Sequence, residues 1–571
     1  MKPEGFSGRL TEYGDREFAH FLRRSFARSL GLSDEALAKP IIGIVNTGGE
    51  LNPCHRHFPE LVEAVRRGVW QAGGLPREFP VISLGEMQLS PTSMLMRNLL
   101  AMDVEVMLKA QPIDAAVLVG GCDKTLPGLL LGAASADLPS IAVAAGPMLT
   151  GRHLGERVGA CTDCRRFWAA YRRGELSREE LESIEGELAP TAGTCAVMGT
   201  ASTMACIAEA LGVMLPGGAS APAVHAARLR HAEAAGQRAV AMAREGPSLS
   251  KILTDAAFHN ALRVLQAVGG STNCVIHLAA IAGRVGIRLG LDRVEEAGRT
   301  TPVLVDLKPL GDGYMEDFHA AGGMPILLRE LRSLLDLDAL TVTGRRLGEE
   351  LAGPYEWPSW QSVIRPLAKP IQAEGSIVVL RGSLAPDGAL LKRAAATPEL
   401  LESQGRAVVF RSLEDLARRI DAPDLDVRPD DILVLQNAGP RGGPGMPEAG
   451  CLPIPRKLQG VRDMVRISDA RMSGTAFGTI VLHVAPEAAA GGPLGLVRDG
   501  DRIALSVARR AIDLLVPEEE LARRRRESPA PAPPPSRGYE RLFHEHVEQA
   551  PLGMDFDFLR PESLRRPDPS R

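Results

Sequence analysis

Cysteine is scarce in this chain, 8 among 571 residues. That density excludes a disulfide scaffold, and in a reducing compartment it leaves single thiols free for metal binding or catalysis. Long apolar runs are missing too. No uninterrupted hydrophobic stretch approaches the ~18–20 residues of a membrane span. The opening stretch MKPEGFSGRLTEYGDREF has no apolar core of the kind a secretory leader carries. A cytoplasmic protein with no membrane partner is the expectation. No charge sign dominates: 66 Lys and Arg stand against 70 Asp and Glu, a net of −4, so nothing calls for nucleic acid. Aromatics make up only 4%, and no repeat with a period of roughly 20–50 residues is seen.

What is present is an ordinary apolar fraction, 45%, over a length that suits about two to four domains. The first two-thirds repeats one theme. A short Val/Ile-rich run ends in Gly, polar and Cys residues, and a helix-like segment follows. KPIIGIVNTGGELNPC leads to FPELVEAVRRGVWQAGG, FPVISLGE to SMLMRNLLAMDVEVML, and IDAAVLVGGCDK to LPGLLLGAASA; SIAVAAGPM is a further strand. Apolar runs of this length between helical patterns predict βαβ units on a parallel sheet. GTCAVMGTASTMACIAEALG reads as a loop entering a helix. Near residue 370 the pattern changes to strands broken by Gly and Pro turns, as in EGSIVVLRGSLAPDGALLK, GRAVVFRSL, DILVLQNAGP and DRIALSVARRAIDLLV. The expected division is an α/β domain over 1–368, a β-rich domain over 369–522, and a Pro-rich linker with a docking tail over 523–571.

Ligands of open α/β sheets bind beyond the carboxyl ends of the strands. The repeated theme puts Cys54, Glu86 and the consecutive trio Cys122, Asp123 and Lys124 at three such ends, while Cys195 lies in a Gly-rich loop at a helix start. Three converging thiolates could hold an iron–sulfur cluster and leave one iron position open, although the spacings match no short ferredoxin motif. The alternative for any cysteine is a small buried hydrophobe, and Cys206, Cys274 and Cys451 are read so. Cys161 and Cys164 form a C-x-x-C with no partner pair and no strand leading into it, and are read as a decoy. Glu86 and Asp123 are hard oxygen donors suited to Mg²⁺, with Glu448 in AGPRGGPGMPEAG as a third; caps, surface charges or a turn-rich linker are the plainer readings. Lys124 is the anomaly, because an ammonium repels a divalent cation. It must point away, lose its proton, or carry CO₂ as a carbamate. RISDARMSGTAFGT offers Ser468, Ser473, Thr475 and Thr479. A phosphate cradle, a plain polar loop, or a serine base beside a metal are its three readings.

Together NPC at Cys54, GGCDKT at Cys122, GTCAVMGTASTM at Cys195, GGSTN at 269–273, GPGMPE ending at Glu448 and SDARMSGTAFGT resemble one family, the iron–sulfur dihydroxy-acid and sugar-acid dehydratases. The resemblance runs from about residue 14 to the DFDFL near residue 559. It implies a homodimer or homotetramer with an α/β N-terminal domain and a β-barrel-like C-terminal domain. It implies a cluster on Cys54, Cys122 and Cys195, two-iron favoured over four-iron, and Mg²⁺ on Glu86, Asp123, carboxylated Lys124 and Glu448. Ser473 falls on the family's base and Thr475 lies close by; Ser468 inherits no role. QNAGP before GGPGMPE, SDARMSG in place of SDGRFSG, and PVISLGEMQLSPTSMLMRN look like the sugar-acid branch, such as arabinonate or xylonate dehydratases. Gly48–Gly49 departs from that branch and bears on which sugar acid is taken. The expected reaction is dehydration of an aldonate to a 2-keto-3-deoxy acid. The branched-chain dihydroxy-acid dehydratase is the alternative. A non-enzymatic iron–sulfur sensor is a third reading, against which stands the lack of a helix-turn-helix or basic patch.

Overall fold

The computed structural model describes residues 4–354, 356–528 and 533–564. Four parallel strands form the N-terminal sheet: β1 (Ile41–Asn46), β2 (Leu75–Pro80), β3 (Ala115–Gly120) and β4 (Ser140–Ala144), in the order β2-β1-β3-β4. The central strands β1 and β3 are apolar nearly throughout because helices cover both faces. Helix Phe58–Gln71 buries Phe58, Leu61, Val62, Val65 and Val69, the stripe a 3.6-residue period makes. Helix Thr125–Ala136 follows β3 after one short turn and is buried over nearly its whole length, which is why TLPGLLLGAASA is apolar all round.

β2 corrects the sequence reading. The strand is LPREFP, and PVISLGE, the more strand-like stretch, leaves the sheet as a loop carrying Glu86. β2 lies at an edge, where a strand needs to be paired on one side only and tolerates its two prolines.

The C-terminal region is a closed eight-stranded barrel. Around it run Ile432–Leu435, Arg466–Ser468, Ile480–Ala485, Ala385–Lys392, Ile377–Gly382, Ala511–Leu514, Arg502–Ser506 and Glu402–Phe410, which closes back on the first. Period-two alternation sorts its side chains. Val434 and Val409 join one core, whereas Leu433, Leu435 and Phe410 face a second one with Leu416 and Leu452. Strand Arg466–Ser468 opens the stretch RISDARMSGTAFGT and pairs with Ile480–Ala485 directly after it, which holds the two ends of the stretch together as a loop.

Arg523–Arg526 are not linker: they belong to helix Glu518–Glu527, where Arg524 is paired with Asp501 and Glu520. Residues 529–532, the middle of the Pro-rich stretch, lie outside the described residues. Beyond them, Phe543, Val547, Met554 and Phe556 pack on Met94, Leu95 and Met446. Arg97 donates to the carbonyls of Gly553 and Met554 at 2.8 and 3.0 Å, tying this segment to the element that follows the Glu86 loop.

Candidate functional site

Lys124 is the centre of the oxygen-rich end. Its side chain is fully buried, and Nζ lies 3.2 Å from Asp123, 3.5 Å from Glu86 and 3.6 Å from Glu448. Two of the three ways out of the Lys124 anomaly are therefore removed for the unmodified chain. The side chain points into the carboxylates. Burial and Arg471 work against its charge, but the three carboxylates outweigh them and raise its pKa above the ordinary lysine value, so it is an ammonium. Arg471, also buried, donates to Glu448 at 2.5 Å and to Glu86 at 3.1 Å. Burial works against the Glu86 carboxylate, yet Lys124, Arg471 and the hydroxyls of Ser93 and Thr92 hold its pKa well below the usual range. Asp123 goes the other way, upward, because burial dominates.

The donor set is three partly buried carboxylates facing two fully buried cations. Among the described residues no three His, Cys, Asp or Glu side chains gather closely enough to hold a metal ion; the Lys124 ammonium stands where their oxygens converge. These hard oxygens fit Mg²⁺, and a carbamate on Lys124 would turn the obstructing cation into a further oxygen ligand.

The thiol end is built on the same strand terminus. The backbone N–H of Cys122 donates to His55 Nε2 at 2.9 Å, and His55 Nδ1 donates to the Thr47 carbonyl at 2.9 Å. Both ring nitrogens are thus assigned, the ring is neutral, and burial pushes its pKa down to about 4. Gly121, between β3 and Cys122, is required: a Cβ there would stand 2.1 Å from that of Ala145. A hydrogen bond with Cys122, then burial, holds the Cys54 thiol pKa well above the usual range. For Cys195 a hydrogen bond with Cys161 pulls the pKa down, while burial and the nearby Asp123, Cys54 and Cys122 push it up, with a net rise. The three thiols are near one another, Cys122 buried and Cys54 and Cys195 half-buried, and their soft sulfur donors suit an iron–sulfur cluster.

Cys161 is no remote decoy. Its Sγ lies 3.3 Å from that of Cys195. Cys161 is the N-cap of helix Thr162–Arg172, and the N–H of Ala196 donates to the Ala160 carbonyl at 2.9 Å, which clamps the two cysteine loops together. Cys206 and Cys274 are fully buried as expected, but Cys451 is half-buried and lines a cavity.

Ser473 and Thr475 have their hydroxyls 2.9 Å apart. Gly474 between them packs so closely on the GGSTN segment that a Cβ would meet Ser271 Cβ at 2.6 Å. The buried Lys392 amine donates to the Gly474 carbonyl at 3.3 Å, and burial lowers its pKa to about 7. Arg165 Nε donates to Thr475 Oγ1 at 3.3 Å, and Thr162 Oγ1 donates to the Thr475 carbonyl at 3.1 Å. Ser468 instead accepts from the Ala470 N–H, closing its own turn.

Arg165 and Phe477 also line a cavity of about 150 Å³. Six arginines line it (Arg165, Arg172, Arg173, Arg456, Arg462 and Arg466) and no carboxylate does. Three segments that supply central residues also supply its wall: Cys161 leads to Arg165, Glu448 to Cys451, and Thr475 to Phe477.

Sequence reasoning missed Arg471, His55, Lys392, Arg165 and Asn273, whose Nδ2 donates to Glu448 at 3.4 Å. Arg471 and Asn273 sit inside quoted motifs, SDARMSG and GGSTN, and His55 follows NPC directly. Those positions were the available signal. Lys392 carries none.

Two family models match the chain: Dihydroxy-acid/6-phosphogluconate dehydratase N-terminal over residues 39–350, and its C-terminal counterpart over residues 362–554. An L-arabonate dehydratase of Azospirillum brasilense is 51% identical over 560 residues, covering 96% of each chain. A 6-deoxy-6-sulfo-D-gluconate dehydratase of Pseudomonas putida is 47% identical over 552 residues, 95% of this chain and 94% of the relative. A dihydroxy-acid dehydratase of Moorella thermoacetica is 41% identical over 529 residues, 90% of this chain and 94% of the relative.

Proposed function

Since the chain belongs to the dihydroxy-acid/6-phosphogluconate dehydratase family, we propose that it is a hydro-lyase converting an aldonate such as arabinonate, xylonate or gluconate to a 2-keto-3-deoxy acid. The higher identity to sugar-acid dehydratases than to a dihydroxy-acid dehydratase supports this branch. The observation that carries it is Arg165, which bonds Thr475 and also lines a neighbouring cavity. Guanidinium donors suit the hydroxyl-rich tail of a sugar acid, and the isopropyl tail of 2,3-dihydroxyisovalerate gives them nothing to bond.

In this reading Cys54, Cys122 and Cys195 hold an iron–sulfur cluster of the two-iron kind. Glu86, Asp123, Glu448 and a Lys124 carbamate hold Mg²⁺. When bound, these centres supply Lewis acidity for the departing C3 hydroxyl and for charge on the carboxylate side. The chain's own residues do the rest. Ser473 Oγ, as the alkoxide and hydrogen-bonded to Thr475, takes the C2 proton and is left as the neutral hydroxyl. Lys392 and Thr162 hold the Ser473–Thr475 turn through its carbonyls. Arg471 fixes Glu86 and Glu448 at one separation, and Arg165 receives the substrate tail. Loss of the proton and the hydroxyl leaves an enol, which tautomerises to the keto acid.

The enzyme works as a homo-oligomer in this proposal. Phe21, Phe26 and Leu30, on and just past helix Arg16–Arg28, are 65%, 70% and 65% exposed, an apolar face that a second copy would cover. None of the described helices is long and apolar enough to cross a membrane.

The test is a panel of pentonates and hexonates with 2,3-dihydroxyisovalerate, given to anaerobically purified protein with Mg²⁺. Keto acid from one or more aldonates is expected. Keto acid from dihydroxyisovalerate alone would move the chain to the branched-chain reaction.

A further inference from the structure

Cys161 stands against Cys195 and has no part in the reaction above. The two sulfurs are 3.3 Å apart, and their loops are held by the backbone hydrogen bond from Ala196 to Ala160. Cys164 lies one helical turn on from Cys161. Neither Cys161 nor Cys164 is fully buried. Cys161 is the N-cap residue of helix Thr162–Arg172, and its side chain makes no capping bond to that helix end. Arg165, on the next turn of the same helix, lines the neighbouring cavity.

We propose that Cys161 and Cys195 form a thiol–disulfide exchange site, which closes on reaction with a low-molecular-weight disulfide whenever Cys195 carries no cluster. The proposal rests on the assignment of Cys195 as a cluster ligand. The Cys195 sulfur, as thiolate, attacks one sulfur of the reagent disulfide. A mixed disulfide forms on Cys195, and the other half of the reagent leaves as a thiolate. Cys161 then attacks the Cys195 sulfur, forming the Cys161–Cys195 bond and expelling the second half. Two protein thiols are oxidised, one reagent disulfide is reduced to two thiols, and the two protons pass from the protein thiols to the leaving thiolates. A dithiol reductant reverses the sequence. The disulfide keeps the ligand sulfur off the irreversible sulfinic and sulfonic rungs of oxidation, so the site can be reloaded.

The experiment uses the full chain, purified anaerobically, with its cluster either kept or stripped by a chelator. Both forms are exposed to glutathione disulfide, alkylated and digested, and the disulfide-linked peptides are identified by mass spectrometry. In the stripped protein a link between the Cys161 and Cys195 peptides is expected, and in the loaded protein none. Cys161→Ser should leave a stable glutathione adduct on Cys195, while Cys164→Ser should form the same link as the parent. Iron and sulfide content checks that both variants still fold and take up a cluster. A link from Cys195 to Cys54 or Cys122, a link confined to Cys161 and Cys164, or no link at all would overturn the proposal. Full cluster retention in Cys195→Ser would instead overturn the ligand assignment beneath it.

Discussion

In the α/β half, Cys54, Glu86 and the run Cys122 to Lys124 each stand shortly past the carboxyl end of β1, β2 or β3. In the barrel half, Glu448, Arg471, Ser473 and Thr475 ride on two loops between barrel strands. A parallel sheet aims all its strand ends one way, so the first set is gathered by topology alone. The barrel loops have no such built-in convergence. They reach the site through specific contacts, of which Arg471 with Glu86, 385 residues apart in sequence, is the longest in chain distance. In the proposed mechanism the α/β half therefore supplies most of the ligands, and the barrel supplies Glu448, the proton-handling group and the cation that orders Glu86 and Glu448. Each half alone holds an incomplete site.

The largest effect should come from removing the barrel's base. Ser473→Ala is expected to lower kcat by about 10³-fold, within the span of general-base losses, with cluster absorbance and Mg²⁺ content unchanged. Activity within a fewfold of the parent would take Ser473 out of the mechanism.

Next is the strut between the halves. Arg471→Ala strands two buried carboxylates and should cost about 3 kcal/mol of stability, as removal of one partner of a buried pair does. Thermal unfolding of the metal-free variant checks it; an unchanged midpoint would mean the halves are held together elsewhere.

On the sheet side, His55 titrates at about 4 when folded, against an ordinary 6.5. A depressed folded pKa means stability is complete above pH about 6.5 and is lost as pH falls toward about 4, because only the unfolded state takes the proton there. Up to roughly 3 kcal/mol is at stake for such a shift. Denaturant titrations at several pH values should show His55→Gln with a shallower acid slope than the parent, and parallel slopes would refute the assignment.

The smallest effect falls at the rim. Arg165→Ala should raise KM for an aldonate by about tenfold, the scale of one charge-assisted hydrogen bond, with a lesser change in kcat. A pure kcat loss would make Arg165 a support for Thr475 rather than a contact to the substrate tail.

The two halves also differed in how far their residues could be read. Apolar runs ending in Gly and Cys located β1, β3 and β4, because central parallel strands are apolar on both faces. β2 was misplaced by the same rule, since an edge strand half in water is less apolar than the loop after it. In the barrel, the strands around Val379, Val409 and Val434 were legible, while Arg466–Ser468 is three residues long and vanished into its loop. Cys161 was misread for a tertiary reason: no strand leads into it, and only the clamp between Ala160 and Ala196 brings it to Cys195. Lys392 looks in sequence like any strand-end lysine, and its burial under Gly474 is set by the packing of the barrel on the α/β half.

The most direct measurement runs the aldonate panel in D₂O with NMR detection of product. Elimination of the C2 proton and C3 hydroxyl, followed by enol tautomerisation, predicts a 2-keto-3-deoxy acid with one solvent-derived deuterium at C3. An aldonate product with no solvent deuterium at C3, or turnover of 2,3-dihydroxyisovalerate alone, would contradict the account.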